Sequence, residues 1–343
     1  MNIFNGGHFC QRCVLMGIIL LECLSQSAAA ATMPQDIDKL FAKWDRDDSP
    51  GMAVGVFLNG VAVHKRGYGM ANLDEGIPIS PASVFDTFSV AKSFTTACIA
   101  RLLDEGNISL DDDIRQYLPE LPEYSSPVLI RHLIQCRSGL RDYLNLMMLL
   151  GRDRDDVWTK NDALDVIARQ KYTTFTPGEE HSYNNTDYFL LTVIVERATG
   201  QSIREYANEQ LFAPLGMRQT FFDDDRTVPL KNRAVGYGRY EDGRFHRLLM
   251  NSSTVGPFGL KTTLDDLLNW NENFRRNKLP AGLCLSEFFE HGSLLDNENC
   301  LSSYPGQKYK GLEWDEVIHA DIVKRISDLI KNPETHSPPA IEE

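Results

Sequence analysis

A serine and a lysine one helical turn apart are the first residues in this sequence that could do covalent chemistry. Ser89-Val90-Ala91-Lys92 is the only Ser-x-x-Lys in the chain. Residues three apart share one face of a helix, so the lysine amine can reach the serine hydroxyl. The first turn of a helix also presents unpaired N–H groups and partial positive charge, which favour an oxyanion and help a lysine to lose its proton. The spacing therefore predicts an activated serine nucleophile.

A second candidate pair, Tyr183 and Asn185, precedes another helical segment. A tyrosine beside a cationic lysine loses its proton more readily, so it can act first as a base and then as an acid. An Asn amide can hydrogen-bond both a lysine and a substrate amide. Each pattern also has a purely structural interpretation. Ser89 could be an N-cap followed by a solvated lysine, and Tyr183 a buried tyrosine followed by an Asn helix cap.

The elements that must position these residues predict an α+β protein. Apolar, β-rich runs at 52–58 and 61–64 flank Asn59-Gly60, a pair that favours a hairpin because both turn positions need positive φ. Helical periodicity is present in five segments: 37–44, 89–105, 187–199, 264–274 and 321–330. Strands at the start and helices in the middle indicate a helical insertion in a sheet domain.

The domain organisation follows from this order of elements. We expect a sheet domain built from residues 32–115 and 231–331, and a mainly helical domain at 116–230. The tail at 332–343 is rich in Pro, Glu and Ser, which predicts disorder.

Taken together, Ser89-x-x-Lys92 and Tyr183-x-Asn185 resemble the serine β-lactamase and penicillin-binding-protein superfamily. Within it, the sequence is most similar to the class C β-lactamase-related branch of D-aminopeptidases, DD-carboxypeptidases and esterases. The resemblance covers about residues 36 to 275, in order. It extends to the nucleophile helix at 85–95, the "LLtHtSGL" segment at 130–140, the "PG…YSN" stretch at 177–196, and two later blocks at 214–217 and 259–267. Cys136-Arg137 stands where the family usually has His-Thr.

The resemblance implies a β-lactamase/transpeptidase-like fold, with a five-stranded antiparallel sheet flanked by helices plus a helical domain. It also implies a serine hydrolase whose Ser89 attacks an amide, ester or lactam carbonyl through an acyl-enzyme. Lys92 and Tyr183 would move protons, and Asn185 would orient the acyl group. The substrate would be a small molecule or peptide, such as a D-amino-acid peptide, a β-lactam or a small ester. No metal or organic cofactor is implied.

One element of that family pattern is missing from the whole chain. The family carries His-x-Gly or Lys-x-Gly on an inner strand, where it supplies a cation and the second oxyanion N–H. No histidine here has a glycine two residues later, and Lys65-Arg66-Gly67 precedes the nucleophile. Between Trp314 and the helix at 321–330 too few residues remain for the expected strands, so the sheet is predicted to be incomplete. The alternative function is therefore a catalytically impaired member or pseudoenzyme, or the product of an internally deleted gene.

The N-terminus predicts export to the periplasm or medium. Arg12, the apolar run 14–24 and the small residues at 27–31 are typical of a signal peptide at 1–31. Eleven residues interrupted by Glu22 are too few to cross a bilayer, so no membrane span is expected after cleavage. A net charge of -13 argues against nucleic acid as a partner. The sequence does not fix the oligomeric state.

Four cysteines follow the predicted leader. Cys98 and Cys136 lie in apolar helical patterns, which predicts buried thiols. Cys284 and Cys300 lie in a polar region and could pair in an oxidising compartment, which the sequence leaves open.

Overall fold

The computed structural model describes residues 13–14, 18–23, 33–58, 61–153, 156–249, 251–276 and 279. Eleven strands are formed there: β1 (Cys13–Val14), β2 (Ile18–Cys23), β3 (Met52–Leu58), β4 (Val61–Tyr68), β5 (Met70–Asn72), β6 (Ile77–Pro78), β7 (Phe85–Asp86), β8 (Phe221–Phe222), β9 (Tyr237–Arg239), β10 (Phe245–Arg247) and β11 (Leu260–Thr262). The same residues form nine α-helices: α1 (Met33–Phe41), α2 (Ala91–Asp104), α3 (Ile130–Ile134), α4 (Tyr143–Leu149), α5 (Lys160–Ala168), α6 (Asn185–Thr199), α7 (Ile203–Ala207), α8 (Ala213–Leu215) and α9 (Leu264–Arg276). Helices alongside mostly antiparallel strands confirm the predicted α+β class.

The described residues group into two compact units. The first contains the residues up to Phe85 together with Asn232–Leu248, and the second contains Asp86–Lys231 and the residues from Leu249 onward. The predicted domain boundaries, at 115/116 and 230/231, stay a prediction, and the segments at 280–331 and 332–343 lie outside the described residues.

The main sheet of the first unit has the order β2-β3-β4. β3 and β4 are antiparallel, with Met52 opposite Tyr68 and Leu58 opposite Val61, which confirms the predicted pair of hairpin strands. The Asn59-Gly60 turn itself lies outside the described residues. The five-stranded sheet that the resemblance implies is not complete here, since each sheet formed by the described residues has two or three strands.

β2 pairs in parallel with β3 along its whole length, from Ile18 opposite Ala53 to Cys23 opposite Leu58. This strand lies within the segment that the sequence predicts to be a leader. Cleavage after that segment would uncover the main-chain edge of β3, whose side chains Val54 and Val56 are fully buried. The leader stays a prediction.

Two long helices form the centre of the second unit. α2 is buried on almost every face, because its sequence places small or apolar side chains all round the helix. It packs against α6, which begins after the cap Asn184 and ends at Gly200. The Asn184 side chain accepts from Asp187 N–H, and Gly200 takes the left-handed conformation (φ 74°) that ends many helices. The predicted helix at 187–199 is thus confirmed and begins two residues earlier.

Cys98 and Cys136 are buried, as predicted, and form no disulfide within the described residues. Cys284 and Cys300 lie outside the described residues.

Among the helices that the structure describes, none combines the length and the apolar character required to cross a bilayer.

Candidate active site

The nucleophile candidate Ser89 lies in a single 3-10 turn, Phe88–Val90, that leads into α2. Phe88 has φ 46°, a left-handed conformation that costs a non-glycine residue about 1–2 kcal/mol. Two hydrogen bonds hold the chain in this strained turn. Asp86 Oδ1 accepts from Phe88 N–H at 2.9 Å, and Thr87 N–H donates to Leu260 O on β11 at 3.0 Å. The surrounding structure therefore fixes the residue just before the serine.

A buried ion pair anchors the same turn. Lys261 Nζ on β11 lies 2.6 Å from Asp86 Oδ2 and 3.6 Å from Asp223 Oδ2. The three side chains retain only 6%, 20% and 10% of their exposure, so this charge cluster is largely desolvated. Because Asp86 binds both Lys261 and Phe88 N–H, the pair connects β11 to the backbone beside Ser89.

Ser89 Oγ has both proposed proton-transfer partners within reach. It lies 2.8 Å from Tyr183 OH and 3.3 Å from Lys92 Nζ. The Tyr183 ring is half exposed, and Lys92 Nζ lies 4.8 Å from its centroid. A lysine cation at that distance is attracted to the electron-rich face of the ring.

Lys92 is 3% exposed, and its amine contacts three uncharged oxygens. In addition to Ser89 Oγ, Nζ donates to Asn185 Oδ1 at 3.0 Å and to Pro257 O at 2.9 Å. The Pro257 carbonyl reaches Lys92 because the preceding residue, Gly256, packs closely against α6. Gly256 has φ 109°, and a Cβ there would lie 1.9 Å from Thr192 Oγ1. Only glycine fits at that contact.

Asn185 is held from the side opposite Lys92. Asp142 Oδ2 accepts from Asn185 N–H at 2.7 Å and from Asn185 Nδ2 at 2.8 Å. Asp142 Oδ1 caps α4 by accepting from Leu144 N–H and Asn145 N–H. One carboxylate therefore serves a helix N-terminus and the amide of a candidate site residue.

A buried acid supports the start of α6. Asp187 Oδ1 accepts from Ser138 Oγ at 2.5 Å, and Asp187 Oδ2 accepts from Asn184 Nδ2 at 3.1 Å. Burial raises the pKa of Asp187 well above the ordinary carboxyl value, and the nearby Cys136 adds to the rise, while the two hydrogen bonds oppose it. Burial therefore favours the protonated form of this acid over the carboxylate.

The structure brings all four residues singled out in the sequence, Ser89, Lys92, Tyr183 and Asn185, into one hydrogen-bonded group. Their chemical roles stay predictions. Sequence reasoning missed Asp142 and the carbonyl of Pro257. The Asp142-Tyr143 step before an apolar run is a recognisable N-cap pattern, but a backbone carbonyl leaves no signal in the side-chain sequence.

The arrangement contains the groups that acyl transfer uses, because a hydroxyl is in contact with a phenol and an amine. The segment at 312–322, where the second oxyanion N–H was expected to be missing, lies outside the described residues. Within the described part of the chain, no group of three or more His, Cys, Asp or Glu side chains is arranged to hold a metal ion.

Comparison with known proteins identifies the family. The sequence profile of the beta-lactamase family matches residues 37–286. The chain belongs to the beta-lactamase family. This match and the relatives below confirm the predicted serine β-lactamase and penicillin-binding-protein superfamily.

Its curated relatives include D-aminopeptidases. The chain is 32% identical to the D-aminopeptidase of Gluconobacter oxydans (strain 621H) over 225 residues, which are 66% of this chain and 42% of that protein. It is 31% identical over 223 residues to the D-aminopeptidase of Brucella anthropi, covering 65% of this chain and 42% of that protein. The chain therefore spans less than half the length of these two relatives.

Solved structures confirm the predicted fold. The octameric penicillin-binding protein homologue from Pyrococcus abyssi superposes with a TM-score of 0.63 at 24% identity, covering 75% of this chain and 59% of that one. The D-amino acid amidase from Ochrobactrum anthropi SV3 superposes with a TM-score of 0.61 at 22% identity, covering 76% of this chain and 74% of that one.

Proposed function

We propose that this family member hydrolyses an amide bond through an acyl-enzyme on Ser89, and that its substrates are small D-amino-acid amides or peptides. The observation that carries the proposal is the position of Ser89 Oγ, 2.8 Å from Tyr183 OH and 3.3 Å from Lys92 Nζ. The D-aminopeptidase relatives and the D-amino acid amidase fold neighbour support the amide substrate class.

In the proposed acylation step, Ser89 Oγ forms a bond to the carbonyl carbon, and its proton passes to the Tyr183 oxygen or the Lys92 amine. The carbonyl oxygen becomes an oxyanion. When the tetrahedral intermediate collapses, the C–N bond breaks and the amine leaves with that proton. Water then repeats the sequence on the ester carbonyl and restores the Ser89 hydroxyl. Asn185 holds Lys92 throughout.

Covalent labelling tests the nucleophile. A fluorescent penicillin or a fluorophosphonate should add one acyl or phosphonyl group to Ser89, detected by intact mass and peptide mapping. Ser89→Ala should abolish the adduct. Ser93→Ala is the matched control, because Ser93 lies on the same helix and donates to Val90 O. Equal labelling of the wild type and Ser89→Ala would overturn the assignment. The substrate class is tested separately, by comparing D-Ala-p-nitroanilide with its L-enantiomer and with p-nitrophenyl acetate.

We propose further that acylation is slow compared with that of full-length family members. The whole sequence has no His-x-Gly, and its one Lys-x-Gly precedes Ser89. Loss of one oxyanion donor typically costs about 10²–10³ in rate. Inserting a relative's segment between Trp314 and Ala320 should therefore raise the labelling rate. If the unmodified chain already labels as fast as a full-length relative, this second proposal is wrong and the nucleophile assignment stands.

Export is a separate proposal, supported by Arg12, the apolar run and the alanines at 28–31. N-terminal sequencing of protein from the native host should find a start between Ala29 and Met33. A chain that retains residues 1–28 would contradict it.

A further inference from the structure

Asp142 contacts Asn185, the residue that holds the candidate catalytic lysine. Its Oδ2 accepts both the backbone N–H and the side-chain Nδ2 of Asn185, at 2.7 and 2.8 Å. A carboxylate offers only acceptors, whereas an Asn amide has a donor end and an acceptor end. The end of the Asn185 amide that faces Asp142 must therefore be the NH2 group.

This hydrogen bond determines what Asn185 presents to Lys92. With Nδ2 directed at Asp142, Oδ1 faces Lys92 Nζ at 3.0 Å and accepts from it. A rotation of the amide by half a turn would place its NH2 group against the lysine amine and its oxygen against a carboxylate. Both new contacts would be repulsive when the lysine is charged. Asp142 thus excludes the wrong orientation.

We propose that Asp142 is a positioning residue of this site: it locks the Asn185 amide and, through it, places Lys92 Nζ beside Ser89. The inference rests on the proposed acylation of Ser89 and names a residue that controls its rate. The carboxylate takes no part in bond making. Its effect is transmitted over two hydrogen bonds, from Asp142 Oδ2 to Asn185 and from Asn185 Oδ1 to Lys92.

Other contacts between the same segments allow the positioning role of Asp142 to be tested separately from its contribution to folding. Other bonds join the same two segments: Tyr143 N–H donates to Thr186 Oγ1 at 2.9 Å, and Thr186 Oγ1 donates to Arg141 O at 2.7 Å. These bonds hold the segments together without touching the Asn185 amide. In addition, the other role of Asp142, capping α4, can be taken over by serine, which is an equally good N-cap but too short to replace the second carboxylate oxygen.

The decisive variant is Asp142→Ser, with Thr186→Val as the matched control. We expect Asp142→Ser to label Ser89 with a fluorescent penicillin or a fluorophosphonate about ten- to a hundredfold more slowly, since small misplacements of reacting groups cost that much. Thr186→Val should lower the melting temperature at least as much and change the labelling rate less than about threefold, because it leaves Asn185 in place.

A double-mutant cycle with Asn185→Ala shows whether the effect passes through Asn185. In that background Asp142→Ser should change the labelling rate less than about twofold, because non-additivity marks residues that act as a unit. If Asp142→Ser labels at the wild-type rate, or if its full effect persists without Asn185, the inference is wrong. Labelling that survives Ser89→Ala would instead overturn the proposed nucleophile.

A structural readout keeps the inference testable even if neither probe labels the wild type. Crystal structures of the wild type and Asp142→Ser should differ at the Asn185 amide. In the variant, the hydrogen bond from Lys92 Nζ to Asn185 Oδ1 should be broken, or the amide should occupy two orientations. An unchanged hydrogen bond in Asp142→Ser would refute the positioning role directly.

Discussion

Two lysines of the second unit, Lys92 and Lys261, are equally buried but have very different surroundings. Lys92 is 3% exposed and Lys261 5%. Lys261 lies against the carboxylates of Asp86 and Asp223. Lys92 donates to three uncharged oxygens, those of Ser89, Asn185 and Pro257. Both lysines contact the turn that carries Ser89: Lys261 does so through Asp86, and Lys92 does so directly.

The difference separates a lysine that holds structure from one that can exchange a proton. Lys261 supplies the counter-charge of two buried carboxylates, so removal of its side chain is expected to destabilise the fold. None of the three oxygens that Lys92 contacts is an anion, so deprotonation of Lys92 would not leave any of these three as an unpaired charge. Asp142 reaches Lys92 only through the Asn185 amide in the contacts described above.

The largest expected effect is on the chemistry of Lys92. Lys92→Met should lower the rate of Ser89 labelling by about 10⁴- to 10⁶-fold, as is typical when one member of a catalytic unit is removed. The folded protein should persist, because the oxygens that lose a donor are neutral and Ser89 Oγ keeps its contact with Tyr183 OH. Stopped-flow or gel-based labelling rates, with circular dichroism as the folding check, measure both. A rate above about one per cent of wild type would show that Tyr183 suffices as the base.

The matched substitution, Lys261→Met, should act mainly on the stability of the protein. Lys261→Met leaves Asp86 and Asp223 buried without a cation, which should lower the free energy of unfolding by about 3–5 kcal/mol in a urea titration. Adding Asp86→Asn and Asp223→Asn should restore much of that loss, since the uncompensated charges are then gone. A single Lys261→Met variant as stable as the wild type would mean that the two lysines do not differ in their dependence on charge.

The nucleophile pair could be predicted from the sequence because its information is local. Ser89 and Lys92 are three residues apart, and helical geometry alone brings them together. Tyr183 and Asn185 could be linked to the nucleophile only through the family resemblance. Ser89 and Tyr183 are 94 residues apart, and nothing local to either segment indicates that they meet. The fold class and the hairpin strands likewise followed from periodicity and from an Asn-Gly turn.

The supporting contacts could not be predicted, because each depends on tertiary packing. Asp86 and Lys261 are 175 residues apart, and Asp142 and Asn185 are 43 apart. The Pro257 carbonyl reaches Lys92 because Gly256 packs tightly on α6, which composition does not reveal. The sequence also placed the helix start at Ser89, whereas α2 begins at Ala91. Phe88, the residue before Ser89, has a left-handed backbone conformation, which non-glycine residues disfavour.

The last prediction concerns the buried acid in the first turn of α6 and is the smallest in size. Asp187 is 0% exposed, and burial raises its pKa well above 3.8. A raised pKa means that the folded state binds the proton more tightly than the unfolded state does. The stability that this proton contributes is therefore fully present below the ordinary carboxyl pKa of 3.8 and is lost as the pH rises through the folded pKa.

Asp187→Asn should remove this pH dependence, because an amide does not titrate. Relative to the wild type, the variant should gain stability as the pH rises above 3.8, by at most about 1.4 kcal/mol for each pH unit, until the folded pKa is passed. Urea titrations from pH 4 to pH 8 measure the difference, with the exposed substitution Glu75→Gln as the baseline. A difference that stays constant over this range would mean that Asp187 is ionised in the folded protein. The first turn of α6 would then hold a buried anion, as the cluster of Asp86 and Asp223 around Lys261 does.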